Sequence, residues 1–409
     1  MTKKHKTKKI VVREKPILFK KHKAKSNPVK EKHVEFKKEK IIKQPHFSAG
    51  VNIKVVGVGG AGGNVVNRIF GKKIKDIKLI AINTDAQALQ HNRADLKINI
   101  GRNLTRGLGA GMDPEIGRQS AEESREEIEA ALAKTDLVFL TCGLGGGTGS
   151  GAAPVVAEAA KKNGALVIAV VTKPFSFEGT KRTDIAEEAW QRLKDRVDAI
   201  VTIPNDRVFN LIDKDTPILK AFGLVDDILR QGVQGISDLI TFPGIINIDY
   251  ANIKTTMEGA GKALMGIGKA KGAERALKAA QAAIQSPLLD ISIDGATRVL
   301  FNISGTSDMS LVEINEAARA ITESIDKHAK VIFGAVYDNS LAKGEIKVTV
   351  IAGGFDGATS GLFNHLPLES KMFVASETII TKPLIESWDE EQEKELEIPA
   401  FLKKKNLLK

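Results

Sequence analysis

From Val51 onward, apolar and polar positions fall into alternating strand-like and helix-like blocks. Asn52–Val56 is a short β-branched run that stops at Gly57-Val-Gly-Gly-Ala-Gly-Gly63-Asn64. Beyond it Val65, Val66, Ile69 and Phe70 keep a helical spacing. Lys78–Ile82 reads as another strand, ending in Asn83-Thr84-Asp85, and Glu115–Ala133 is rich in helix formers. Asp136–Thr141 is a strand, after which Gly143-Leu-Gly-Gly-Gly-Thr-Gly-Ser-Gly151 opens a helix over Ala152–Asn163. Ala165–Thr172 and Ala199–Ile203 read as further buried strands. Strands alternating with helices over about 150 residues predict a doubly wound parallel sheet, with its ligand site at the strand C-termini.

Between Pro217 and Ile240 the apolar residues Ile218, Leu219, Phe222, Val225, Ile228, Leu229, Val233, Ile236, Leu239 and Ile240 keep a 3.6-residue period. Pro217 suits a first helical turn and Pro243-Gly244 ends the pattern, giving one rod about 36 Å long. A loop (Ile245–Ile253) and an Ala/Gly-rich helical region to about Gln285 follow. Then come strand (Arg298–Ile303), helix (Leu311–Asp326) and two strands (Val331–Tyr337, Glu345–Ile351), which form a second, smaller α/β domain. Periodicity ends at Gly353, leaving about 40 residues of linker before a last apolar motif.

Charge changes this picture at one end only. The whole chain carries +11, but Met1 to Gly50 holds 17 Lys+Arg against 4 Glu, so the remainder is close to −2. The arm holds His5, His22, His33 and His46 in no ligand spacing, and its charge density predicts disorder. It reads as a solvated arm or as a loose contact for anionic lipid or nucleic acid. It lacks the Arg/Ser bias of a transit peptide. The longest apolar run, Ala165 to Val171, is far short of the ~18 residues of a membrane span. A single cysteine, Cys142, excludes an internal disulfide framework, and its place before a glycine loop fits a small buried strand end. Trp190 and Trp388 have no basic–aromatic interleaving, so a nucleic-acid platform has no support. The chain reads as cytosolic.

Two glycine loops carry the chemistry. Gly57-x-Gly59-x-x-Gly62 alone is the weak dinucleotide fingerprint, in which glycines let the backbone approach a phosphate at a helix N-terminus. Gly145-Gly-Gly-Thr-Gly-Ser-Gly151 is a second cradle, with two hydroxyls, Thr148 and Ser150. A nicotinamide cofactor has one pyrophosphate; two cradles fit a triphosphate better. No Gly-x-x-x-x-Gly-Lys-Ser/Thr occurs, so this is not a P-loop NTPase. An NAD-dependent oxidoreductase with Asp85 as the ribose acid remains as an alternative. So does a nucleotide-binding structural polymer with little hydrolysis.

The two loops in this order, with Asn83-Thr84-Asp85 and Gly107-Leu-Gly-Ala-Gly-Met-Asp-Pro114 between them, resemble the tubulin/FtsZ family, and within it the bacterial cell-division branch. The resemblance runs from about Asn52 to Gly353 and resumes at Glu397-Ile-Pro-Ala-Phe-Leu-Lys-Lys404. It implies a tubulin-like GTP-binding domain and a GTPase that polymerises head to tail at the division site, in the cytoplasm. Mg2+ would accompany the GTP. The map becomes arm 1–50, nucleotide-binding domain 51–216, central helix 217–242, C-terminal α/β domain 243–353, linker 354–396 and docking peptide 397–409.

Carried over residue by residue, the resemblance assigns Gly60, Ala61, Gly62, Gly63 and Asn64 to the first nucleotide loop and Gly147, Thr148 and Gly149 to the phosphate loop. Glu178 and Arg182 match positions at the sugar; taken alone, an i,i+4 acid–base pair is an ordinary helix-surface bridge. Asp227 matches the carboxylate that reads the base, with Phe222 as a nearby stacking surface. One ionised carboxylate accepts both adjacent donors of guanine, whereas adenine offers a donor and an acceptor. Without the resemblance, Asp226 and Asp227 would read as a solvated helix face. The docking peptide (Ile398, Pro399, Phe401, Leu402) implies a membrane-anchor adaptor such as FtsA or ZipA.

Asn247, Asp249 and Asn252 form the polar-acidic cluster after the long helix. From Asp227 to the helix end is ~20 Å along the axis, so Asp249 is not expected to reach its own subunit's γ-phosphate. A second subunit stacked head to tail brings its loop there, and such a heterologous contact propagates as a filament. In Asn247-Ile-Asp-Tyr-Ala-Asn252 the family pattern has Asp at the third and sixth positions; here the sixth is Asn252, which predicts slow turnover.

Overall fold

The computed structural model describes residues 50–355, except 72–76, 214, 242–244, 247, 290–291 and 339. The basic arm, residues 356–409 with the docking peptide, and Asn247 lie outside the described residues. The first half runs β1 (Ile53–Val58), α1 (Gly59–Gly71), β2 (Ile77–Asn83), α2 (Ala86–His91), β3 (Leu96–Asn99), α3 (Arg102–Thr105), α4 (Pro114–Glu123) and α5 (Arg125–Leu132). Then come β4 (Leu137–Gly143), α6 (Gly147–Lys162), β5 (Leu166–Lys173), α7 (Thr180–Lys194), β6 (Ala199–Pro204) and the long α8 (Ile218–Thr241). The rest is α9 (Tyr250–Met257), β7 (Gly261–Lys271), α10 (Arg275–Ile284), β8 (Arg298–Gly305), α11 (Leu311–Thr322), β9 (Lys330–Tyr337) and β10 (Glu345–Gly353).

Among the described residues, ten strands join one sheet in the order β3-β2-β1-β4-β5-β6-β7-β10-β8-β9. The first seven are parallel, as the alternating pattern predicts, and β10 runs antiparallel between β7 and β8. Every residue of β1 is buried, and its side chains alternate between two apolar layers. Ile53 and Val55 belong to the layer that holds Val65 and Ile69 of α1 and Val225 and Leu229 of α8; Val56 and Val58 belong to the layer that holds Ala153 and Ala157 of α6 and Trp190 of α7. A third layer packs α10 and α11 on the second half of the sheet around Phe301 and Val348.

Two sequence expectations need correction. The Ala/Gly-rich stretch is not helical throughout: Gly261–Lys271 is β7, and the helix starts only at Arg275. Gly266 and Gly268 are the reason, because a Cβ there would lie 1.9 Å from the Ala283 carbonyl oxygen and 2.1 Å from that of Ala279, so α10 rests directly on the strand. Glu115–Ala133, rich in helix formers, is helical as read, in two helices that meet at Ser124. The loop expected over Ile245–Ile253 gives way to α9 at Tyr250, because Ile253, Thr256 and Met257 bury one face of a helix.

Candidate functional site

Strand order reverses between β1 and β4, and there two helix N-termini meet at the C-terminal edge of the sheet. Gly59 begins α1 with φ +73°, and Gly145, before α6, has φ +98°, backbone that glycine adopts without strain. A Cβ on Gly59 would lie 3.1 Å from the Gly149 nitrogen and 3.6 Å from Thr148 Cβ, so the two glycine loops lie side by side. Gly57 and Gly62 interlock, since a side chain on either would strike the other's backbone. Ala61 packs against Gly143, and Asn64 follows half-buried on α1. Gly60 faces open space. The first-turn N–H groups of a helix lack intrahelical acceptors, and two such sets open onto one crevice, which suits a polyphosphate.

The hydroxyls differ in role. Thr148 Oγ1 lies 2.6 Å from the hydroxyl of the fully buried Thr84, on the segment after β2. Ser150 is not a free cradle group as expected: it is buried, and its oxygen accepts from Gly145 N at 2.9 Å, fastening the loop to its own helix. Asp85 is likewise engaged, accepting from Ala88 N as the N-cap of α2, which leaves it poorly placed as a ribose acid. Cys142 is fully buried in β4, and burial pushes its thiol up to about 12, so it is inert.

Glu178 and Arg182 are more than a surface bridge. Glu178 accepts from Phe175 N at 2.9 Å and from Arg182 at 2.7 Å, and its side chain is largely buried. Asp206, two residues past the end of β6, ties the same turn, accepting from Ser176 N and Oγ. Sequence reasoning passed over Asn205 beside it, which is buried at the C-terminal end of β6 with its Oδ1 unpartnered. Its signal was a strand-end amide on the ligand edge of a parallel sheet. Phe222 packs edge-on against Phe175 at 5.2 Å, within an aromatic cluster that includes Phe177 and Phe209.

Asp226 and Asp227 are not a solvated face. Asp226 is buried against Arg68 of α1 at 3.4 Å; burial raises its carboxyl to about 7, Arg68 opposing and Asp227 adding to the shift. Asp227 stays partly open, with Oδ1 taken by Arg230 at 2.9 Å and approached by Arg68 at 3.8 Å. The helix that starts at the phosphate crevice is thereby joined to the helix that carries Asp227.

Asp249 and Asn252 sit elsewhere. Asp249 occupies the N-cap of α9, yet its side chain makes no capping bond, and both residues are exposed. The Tyr250 hydroxyl donates to the Asp136 carbonyl at 2.6 Å, just before β4 begins. The glycine loop follows the other end of that strand, about 20 Å away. The acid cluster and the glycine crevice therefore lie at opposite edges of the sheet.

Among known proteins, residues 52–213 match the tubulin/FtsZ family GTPase domain, and residues 261–356 match the FtsZ family C-terminal domain. A solved empty FtsZ dimer from M. jannaschii is 46% identical with a TM-score of 0.72, covering 74% of this chain and 88% of its own. A point mutant of M. jannaschii FtsZ has the same identity and TM-score over 75% and 91%. CetZ2 from Haloferax volcanii, solved as a GTPγS-bound protofilament, shares 21% identity with a TM-score of 0.64 over 74% and 93%, and supports the fold alone.

Proposed function

The chain belongs to the tubulin/FtsZ family, and from that premise we propose that it is a GTP-dependent, filament-forming cell-division protein whose subunits complete one another's active sites. The observation that carries this reading is the separation of Asp249 and Asn252 from the crevice of their own subunit. Gly60, Gly62, Gly63, Gly147, Thr148 and Gly149 bind the phosphates, mainly through backbone N–H groups, with Ala61 and Asn64 shaping the loop. Glu178 and Arg182 hold the sugar side, and Asp227 reads guanine. Mg2+ would enter with the nucleotide. When bound, it neutralises phosphate charge.

In a head-to-tail stack, the Asp249 carboxylate of one subunit orients the attacking water at its neighbour's γ-phosphate. Asn252, and Asn247 five residues before it, contribute amides that orient water but take no proton. Without a carboxylate at 252 hydrolysis proceeds slowly and filaments persist, the loss lying at the low end of general-base effects because phosphoryl transfer depends mainly on positioning and charge stabilisation. An oxidoreductase reading has no remaining support, given the GTPase-domain match and the capping role of Asp85.

No helix among the described residues is long and apolar enough to cross a membrane. The C-terminal peptide, with Ile398, Pro399, Phe401 and Leu402, suits docking to a membrane-anchor adaptor such as FtsA or ZipA at the division site in the cytoplasm. The +13 arm suits a weak contact with anionic lipid or nucleic acid. The test is a pelleting assay with GTP, GDP, ATP and a slowly hydrolysed GTP analogue, with phosphate release read in parallel. Assembly with GTP but not ATP, lost in Asp227→Ala together with GTP binding, supports the reading; tight GTP binding by that variant overturns the base-site assignment.

A further inference from the structure

The N-terminus of α9 is held from two sides. Ahead of it, Ile245 N donates to the Ala335 carbonyl at 2.7 Å, and Ile246 bridges the same residue of the edge strand β9. Behind it, Tyr250 reaches across to the Asp136 carbonyl before β4. Asp249 lies between these two anchors, and Asn252 lies one turn beyond it, with its N–H bonded to the Asp249 carbonyl at 3.0 Å. The C-terminal half of α9 is fixed independently, by buried Ile253, Thr256 and Met257 and by Arg298, which donates to the Thr256 and Glu258 carbonyls. The Tyr250 phenol is thus a specific constraint on the end of the helix that carries the acid. The helix as a whole does not depend on it.

We propose that Tyr250 is a positioning residue for interface hydrolysis: by anchoring α9 to the start of β4, its hydroxyl sets where Asp249 and Asn252 project toward the neighbouring subunit's nucleotide. The proposal rests on the reading that the acid acts in the next subunit. Asp249 makes no capping bond, so its direction follows from where the backbone around it is pinned. Nothing in the role requires the phenol to exchange a proton. Burial, with the nearby Asp136 charge adding, pushes Tyr250 up to about 12, so it stays protonated across the working pH range and keeps its donor. A misplacement of about 1 Å at such a position is enough to cost up to ~10²-fold in rate.

The experiment compares full-length Tyr250→Phe, which keeps the ring and loses only the hydroxyl, with the unchanged chain and with Asp249→Ala. The expected result for Tyr250→Phe is unaltered GTP affinity and pelleting and a thermal midpoint lower by no more than a few degrees, with phosphate release per polymerised subunit at saturating GTP about tenfold lower. The shape of the rate profile between pH 6 and 9 stays that of the unchanged chain. Wild-type turnover in Tyr250→Phe overturns the proposal, as does loss of GTP binding or of the fold, which would make the bond merely structural. A changed profile shape also overturns it, because the phenol would then be exchanging protons. If Asp249→Ala keeps full turnover, the interface reading itself fails; if only Tyr250→Phe does, the positioning role alone fails.

Discussion

The hydroxyl oxygens of Thr84 and Thr148 lie 2.6 Å apart, joining the segment after β2 to the first turn of α6. Thr84 is fully buried and Thr148 half-buried, so only the second can also face a ligand. A net hydrogen bond contributes about 1 kcal/mol, or roughly a fivefold change in an equilibrium. Thr84→Val should therefore weaken GTP binding about fivefold by freeing Thr148 to rotate. Thr148→Val should cost more, because it removes the hydroxyl that faces the crevice. Titration of both variants with a fluorescent GTP analogue checks the order, and the reverse order would place Thr84 at the nucleotide.

Asn252→Asp should raise phosphate release without raising GTP affinity. Restoring a general base is worth on the order of 10² at the low end of such effects, the end relevant to phosphoryl transfer. Steady-state phosphate release at matched filament mass is the measurement. Unchanged turnover in this variant, with Asp249→Ala inactive, would show that position 252 is not a catalytic position in this chain.

Gly151→Ala should unfold several degrees lower and bind GTP poorly. A Cβ at Gly151 would stand 1.9 Å from the Pro114 carbonyl oxygen, so α4 must move off α6. Overpacking of this kind costs about 3 kcal/mol. Gly60→Ala, where no heavy atom lies within 4 Å, serves as the contrast: its thermal midpoint should hold.

Asp226 predicts a pH dependence of stability. Its carboxyl binds a proton more readily folded than unfolded, because burial raises it to about 7 from an ordinary value near 3.9. That contribution is fully present below about pH 4 and is lost as pH rises through about 7. Asp226→Asn removes the titration, so its thermal midpoint relative to the unchanged chain should be higher at pH 8 than at pH 5. Equal differences at the two pH values would show that Asp226 is ionised in the folded protein throughout.

What the sequence disclosed was the part governed by local rules. Glycines with positive φ or close backbone approach mark both loops, and α8 follows its apolar period to within a residue at each end. Its reading of β7 failed because Gly266 and Gly268 signal contact with α10, a partner fourteen or so residues on, which local propensity does not contain. The state of Asp226 and Asp227 was hidden for the same reason. Arg68 is distant in sequence, so an exposed-looking pair of acids proved to be a helix-to-helix joint. Ser150 and Asp85 looked like ligand groups because the sequence shows a donor or acceptor but not whether a neighbouring N–H already occupies it.

The two ends of β4 give the filament a direction and a counting rule. If each subunit keeps its nucleotide crevice past one end of that strand and lends its acid from the other, the number of complete sites is always one fewer than the number of subunits. The nucleotide left over sits at a fixed terminus, whatever the filament's length. Age along the filament is then recorded chemically everywhere except at that terminus, where a subunit waits for a neighbour before its nucleotide can be hydrolysed.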